Sequence, residues 1–335
     1  MIKIKMTIAL LSLKFKKRLK KKLKLKLSRF SFNFIFNSPI FKNMFTATLL
    51  AVFCLPANAG LKLELESALE YDSNVATDAA DNNAGLGDAA RNLSLGLGYD
   101  AKINKHWSLS SSYRLNDTHW YTYDEFNSQM HIGLLRLGYQ QEKISSDISL
   151  IHAYGSVDGE DFLSLNRLSP GLGYLINPKW YVRTQGDVSQ KSFALYEQRN
   201  GNAFAASFYL YHFIDRTRFY ITAQAQVKQE NAKDDVYAYQ ASIFKLQLKR
   251  DWSLFNFSGS SRLKARYEQR QYEGVRSAIN AAREDDRWRL ALQTNLQLSK
   301  QWQVTSSLQS DWFESNVAAA HYNQERVQIG LAWEF

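Results

Sequence analysis

Residues 262–270 carry an ionisable side chain at every second position: Arg262, Lys264, Arg266, Glu268 and Arg270. Arg287 and Arg289 repeat the spacing further along. A period of two is that of an extended strand, so each set falls on one face. Guanidinium and ammonium groups converging on a narrow, low-dielectric surface attract anions. They also serve a purely structural purpose, filling a small interior with arginine–acid pairs. Both readings stay open at this stage. Further basic residues with inward phase are Lys102, Arg167, Arg183, Arg218, Lys249 and Arg326, opposed by Asp100, Asp187, Asp311 and Glu334.

Other chemistry finds less support. The histidines (His106, His119, His131, His152, His212 and His321) are scattered, without the His-x-x-x-His spacing of a zinc site. The Gly-x-Gly pairs at Gly85/Gly87, Gly96/Gly98 and Gly171/Gly173 open no helix and lack a third glycine at dinucleotide spacing. Serine is plentiful, but no serine–histidine pairing can be picked from the sequence. Asp158, Glu160 and Asp161 form an acidic loop tip without the spacing of a calcium-binding helix–loop–helix. The expectation is a non-enzyme with no catalytic residue, no metal and no cofactor.

The elements that position the charged ladder are strands. Val327, Ile329, Leu331, Trp333 and Phe335 alternate with Gln328, Gly330, Ala332 and Glu334. The same alternation recurs in segments near 61–71, 91–103, 106–118, 127–141, 144–155, 163–176, 179–195, 202–214, 217–230, 236–250, 252–272, 286–298, 302–314 and 323–335. Near 236–250 the apolar phase changes between Ile243 and Phe244, which predicts a bulge. The fifth and eighth segments are ambiguous in phase. Connections alternate too. Those after even segments are short (Asn104-Lys105, Glu142-Lys143, Asn177-Pro178, Asp215-Arg216, Asp251 and 299–301), whereas those after odd segments are mostly longer.

One apolar and one polar face on every strand, with short turns on one rim and long loops on the other, predicts an all-β fold: a 14-stranded antiparallel up-and-down transmembrane β-barrel of the bacterial outer membrane. Both termini would then lie on the short-turn, periplasmic side. The tryptophans agree. Trp107, Trp180, Trp252, Trp302 and Trp333 fall near the short turns, and Trp120, Trp288 and Trp312 beside the long loops. Indole settles at the lipid–water boundary. Three Leu-Gly-Tyr repeats, at 97–99, 137–139 and 172–174, add inner-rim aromatics. Val327, Ile329, Leu331, Trp333 and the terminal Phe335 have the form of the signal read by the barrel assembly machinery. Lipid and lipopolysaccharide are the expected surroundings.

Residues 1–59 hold 13 Lys/Arg and no acid, so the remaining chain has 42 − 13 = 29 basic against 32 acidic groups. The overall charge of +10 therefore belongs to a leader and predicts no nucleic-acid partner. Met44–Pro56 reads as the apolar core of a secretory signal, with Ala57-Asn58-Ala59 as the small-x-small site and cleavage between Ala59 and Gly60. The basic run at 14–29 reads as an overlong n-region or an upstream start, or else as a membrane-binding arm. The one cysteine, Cys54, falls inside the leader, which excludes a disulfide scaffold.

Glu70-Tyr71-Asp72-Ser73-Asn74-Val75, Arg283-Glu284-Asp285-Asp286, Glu314-Ser315-Asn316-Val317 and Glu325-Arg326-Val327 together resemble the C-terminal barrel of the surface lipoprotein assembly modifier family. The resemblance covers 60–335. It implies an export barrel that helps move a lipoprotein or other secreted cargo to the cell surface, through its lumen or through the seam between first and last strands. Members typically carry a periplasmic helical-repeat domain before the barrel. Here the first strand begins almost at Gly60, and the expectation is a barrel without that domain. Read locally, Asp-Ser-Asn is also ordinary turn chemistry. Independently of the resemblance, the basic excess predicts a small anion-leaning channel.

Overall fold

The computed structural model describes residues 60–75 and 85–335. The basic run, the apolar signal core and Ala59 lie outside those residues, and Gly60 is the first residue of the first strand. Fourteen strands follow: β1 (Gly60–Asp72), β2 (Asp88–Lys102), β3 (Trp107–Trp120), β4 (Ser128–Gln141), β5 (Ile144–Val157), β6 (Glu160–Asn177), β7 (Trp180–Phe193), β8 (Gly201–Asp215), β9 (Phe219–Ala232), β10 (Tyr239–Leu254), β11 (Phe257–Arg276), β12 (Ala281–Gln297), β13 (Trp302–Ser315) and β14 (Tyr322–Glu334). Each pairs with its neighbours in sequence, and β14 pairs with β1, so the sheet is a closed up-and-down barrel.

Closure follows from the surroundings that the apolar face demands. Hydrocarbon offers no partner to a backbone N–H or C=O, so an open edge is untenable there. The β1–β14 seam is paired from Glu64↔Glu334 to Asp72↔Arg326. Beyond it, Leu63 N donates to Phe335 O at 3.0 Å and Phe335 N to Leu63 O at 2.9 Å, which carries the ladder to the last residue.

Alternation sorts the side chains. Leu61, Leu65 and Leu69 of β1, Phe204 and Phe208 of β8, Phe244 and Leu246 of β10, and Leu290 and Leu292 of β12 are exposed on the outside. Val327, Ile329, Leu331, Trp333 and Phe335 share that face, with Trp333 stacked on Phe335 at 5.9 Å. Register places the tryptophans on the outer surface except Trp120, which opposes Ala90 on the lumen side. Trp288 and Trp312 are cross-strand partners at one rim, and Trp302 and Trp333 at the other.

Several boundaries differ from expectation. β10 pairs with β9 and β11 without a register shift, so the predicted bulge is absent. The apolar phase changes because Tyr239, Ala241 and Ile243 cluster with Tyr272 inside the barrel, while Phe244 and Leu246 face out. The turn after β10 lies at Phe255-Asn256, not Asp251, so Trp252 ends a strand rather than starting one. β5 and β6 meet in a two-residue turn, Asp158-Gly159, both with positive φ, where a longer loop was expected. β11 and β12 likewise extend past the membrane zone to Arg276 and from Ala281, narrowing the expected 273–285 loop. The asymmetry survives: the short 3-10 turns at Asp124–Phe126, Glu197–Arg199, Asp235–Tyr237 and Ala318–Ala320 all sit in connections after odd strands.

The two faces predict opposite tolerance to charge. Leu246→Arg, mid-strand on the outside, is expected to cost about 2–4 kcal/mol in reversible urea unfolding from phospholipid vesicles. Ser110→Arg, on the lumen side beside Asp100, is expected to cost less than about 1 kcal/mol. Equal costs would contradict the assignment of faces.

Candidate functional site

The ladder predicted on β11 and β12 faces the lumen as one patch. Cross-strand rows run Lys249–Arg262–Gln293, Gln247–Lys264–Ala291, Lys245–Arg266–Arg289, Ile243–Glu268–Arg287 and Ala241–Arg270–Asp285. The rows differ in how their charge is met.

Toward the long-loop rim the arginines are paired. Arg266 Nη2 donates to Glu268 Oε2 at 2.5 Å and Arg270 Nε to Glu268 Oε1 at 2.7 Å. Arg283 Nε and Arg287 Nη2 grip the two oxygens of Asp285 at 2.8 and 2.7 Å. Arg289 forks onto Asp311 at 2.6 and 2.9 Å. The three acids are almost fully buried: Glu268 2%, Asp285 2% and Asp311 0% exposed. A carboxylate withdrawn that far from water is tenable only when paired and hydrogen-bonded. Around Arg266, Glu268, Arg270, Arg287, Arg289 and Phe313 lies a cavity of about 150 Å³.

Toward the short-turn rim pairing lapses. Lys264 donates to Gln293 Oε1 at 2.8 Å, and Arg262 is exposed. Among the described residues no carboxylate lies within ion-pair distance of Arg262, Lys264, Lys245 or Arg167. The structural network and the uncompensated basic surface therefore coexist, at different depths of one ladder.

All but one of the remaining inward candidates lie on the lumen side of a strand. Arg183 forks onto Asp147 at 2.5 and 3.0 Å. Lys249 pairs with Asp251, and Asp100 with Lys62 at 3.0 Å. Asp187 accepts from Ser169 and Gln185, and Glu334 from Gln303. Lys102 lies on the lumen side of β2, opposite Ser108. Arg218 is the exception: it sits in the exposed turn before β9, paired with Asp215 at 2.8 Å. Gly171 sits where a Cβ would lie 2.1 Å from the Arg183 guanidinium, and at Gly96 one would lie 3.2 Å from Glu64. These glycines make room for lumen side chains.

The four segments that carried the family resemblance meet as two pairs at the long-loop rim. Asp72, 1% exposed, accepts from Gln324 Nε2 at 2.9 and 2.8 Å, from Arg326 Nε and Nη2 at 2.9 and 2.7 Å, and from the Asn74 backbone at 2.9 Å. Ser73 and Glu325 exchange two further bonds, Ser73 N to Glu325 O and Glu325 N to Ser73 Oγ. Asn74 Oδ1 accepts from Gly85 N, which anchors the connection to β2. The turn chemistry is thus present, and the same residues lock the first strand to the last. In the second pair, Glu284 N donates to Asn316 Oδ1 and Asn316 Nδ2 to Ala282 O, joining β12 to the loop after β13. Gln324 is not singled out by the sequence; its period-two spacing from Arg326 is the available signal.

Among the described residues no group of three His, Cys, Asp or Glu side chains could hold a metal ion. The acidic tip is used locally: Asp158 forms the β5–β6 turn and Asp161 accepts from the Tyr154 hydroxyl.

A protein-family model described as "Surface lipoprotein assembly modifier" matches residues 68–335. No curated protein matches the chain in sequence at a significant level. Among solved structures, the chain is similar to the outer membrane channel DcaP of Acinetobacter baumannii (9% identity, 83% of this chain, 97% of that one, TM-score 0.49). It is similar also to an anion-selective porin from Comamonas acidovorans (11%, 83% and 99%, 0.44) and to the translocator domain of the autotransporter NalP from Neisseria meningitidis (10%, 88% and 94%, 0.32). Likenesses this slight carry nothing about what passes through the barrel.

The seam contacts make a quantitative claim. Asp72→Ala removes the shared carboxylate at a buried site, leaving Gln324 only the Asn74 carbonyl and Arg326 with Glu70. It is expected to lower stability by about 3–5 kcal/mol in urea unfolding from lipid vesicles. A change within experimental error would mean that the hub does not hold the seam.

Proposed function

The chain belongs to the surface lipoprotein assembly modifier family, and on that premise we propose that this outer-membrane barrel assists translocation of a partner lipoprotein to the cell surface. The observation that carries the reading is the extent of the family match, which spans nearly the whole barrel and both motif pairs at its rim. In this reading the termini are periplasmic, the long-loop rim is extracellular, and Ala59–Gly60 is the cleavage point of a discarded leader. The outward row ending at Phe335 is what the barrel assembly machinery reads. Lipid and lipopolysaccharide surround the belt, and no catalytic residue is involved. The test is deletion of the gene followed by protease shaving of intact cells. Surface exposure of at least one lipoprotein should fall several-fold and return on complementation. Unchanged exposure of every surface lipoprotein would overturn the reading.

A second reading, a small anion-leaning channel, draws on the uncompensated cations at Arg262, Lys264, Lys245 and Arg167. Cations lining a narrow pore lower the barrier to anions and raise it to cations. In planar bilayers the barrel would then show a steady conductance whose reversal potential in a salt gradient favours chloride. Arg262→Ala/Arg266→Ala would move that potential toward zero. A barrel with no conductance above the bare bilayer would overturn this second reading and leave the first untouched.

A further inference from the structure

Half a turn round the ring from β12, the lumen wall changes character. On the inner face of β4–β6 the cross-strand rows run Ile132–Ala153–Leu165 and Leu134–Ile151–Arg167, with Leu163 above them opposite Gly155. That these residues point inward follows from the register, since Ile132 lies beside Arg114, whose guanidinium reaches Glu64 across the lumen side of β2. All are half-buried, so part of each aliphatic surface reaches the lumen space. At matching positions β3 presents Arg114, Asn116 and Thr118, and β9 presents Gln226, Lys228 and Glu230. An aliphatic wall is therefore particular to this sector.

The same wall ends on a cation. Arg167 completes the Leu134–Ile151 row; Lys245, on the far side of the lumen, is acted on by the charges of Arg266 and Arg167 and, in the opposite sense, by Glu268 and Asp187. Lys245 in turn is the cross-strand neighbour of Arg266, whose buried Nε has no hydrogen-bond partner. As described above, neither Arg167 nor Lys245 has a carboxylate at ion-pair distance. The aliphatic surface thus ends at Arg167, with Lys245 and Arg266 side by side on the facing wall.

We propose that the lumen binds an amphipathic anion: an unbranched acyl chain ending in a single carboxylate. Its head sits among Arg167, Lys245 and Arg266, and its chain lies along Ile132, Leu134, Ile151 and Leu165. A small inorganic anion would leave the aliphatic wall against water, and a neutral chain would leave Arg167 and Lys245 without an anion in contact. Only a ligand with both parts matches both surfaces. The proposal stands apart from the export reading, because a barrel can hold such a ligand whatever it helps to move.

The test uses the barrel in phospholipid nanodiscs, dialysed against radiolabelled laurate below its micellar concentration, with empty nanodiscs as the reference. Saturable binding above that reference is expected. Leu134→Asn/Ile151→Asn should weaken it about tenfold through the lost apolar contact. Arg167→Gln should weaken it about tenfold through the lost charge-assisted bonds, with Arg167→Lys recovering most of the affinity. Heat-modifiable migration on gels confirms that each variant is folded; should the double variant fail, Leu134→Ala replaces it. Dodecanol should compete about tenfold less well than laurate, and acetate not at all. No saturable excess over empty nanodiscs overturns the proposal. So does laurate binding that neither substitution weakens, or dodecanol that competes as well as laurate.

Discussion

A peptide group inside hydrocarbon has no solvent to bond with, and the architecture of this chain answers to that constraint. It forces the sheet to close, which turns fourteen amphipathic strands into a lipid-facing surface and a lumen. Once the faces are fixed, the charges in the middle of β11 and β12 point inward, where space is limited. The arginine–acid lattice of β11, β12 and β13 is the result. Glu268, Asp285 and Asp311 are held almost out of contact with solvent because arginines from neighbouring strands reach them in pairs or forks. The lattice fills one sector of the interior and leaves the opposite sector aliphatic.

Much of this was legible in the sequence, for a physical reason. A strand with lipid on one side and water or polar groups on the other must alternate, so the period of two survives in the residue order. The outward row from Val327 to Phe335 and the ladder from Arg262 to Arg270 both lie where their spacing put them. Turn positions were less legible. Trp252 reads as the start of a strand because an indole marks a rim, but it marks the end of β10 equally well, and the chain turns only at Phe255-Asn256. Where a lumen-facing residue is itself apolar, alternation loses its contrast. Tyr239 and Ile243 imitated a bulge in this way, and Ile151 with Ala153 made the phase of β5 unreadable. That ambiguity was a signal in its own right: β5 is apolar on both faces around Leu150–Ala153, where its inner face belongs to the aliphatic wall.

The segments that mark the family are instructive for a different reason. Glu70–Val75 and Glu325–Val327 lie at opposite ends of the chain, and closure of the barrel is what brings them together. In the folded barrel the Asp72 carboxylate gathers a buried knot of hydrogen bonds there, whereas Arg283–Asp286 and Glu314–Val317 are joined by exposed bonds through Asn316. Their chemistry is sufficiently explained by holding strands and loops together at one rim. These segments fasten the ring, whereas the features that would meet a ligand or cargo are spread thinly along the lumen.

Asp72 and its partners Gln324 and Arg326 stand 252 and 254 positions apart. No shortened chain, and no chain still emerging from its synthesis, can make that knot. β1 is first in chain order, and its second neighbour, β14, is the last strand of the ring. For the whole interval between, it carries an unsatisfied edge, open to strangers as readily as to β14. The long wait of the leading strand is a built-in demand for an escort, set by chain order alone.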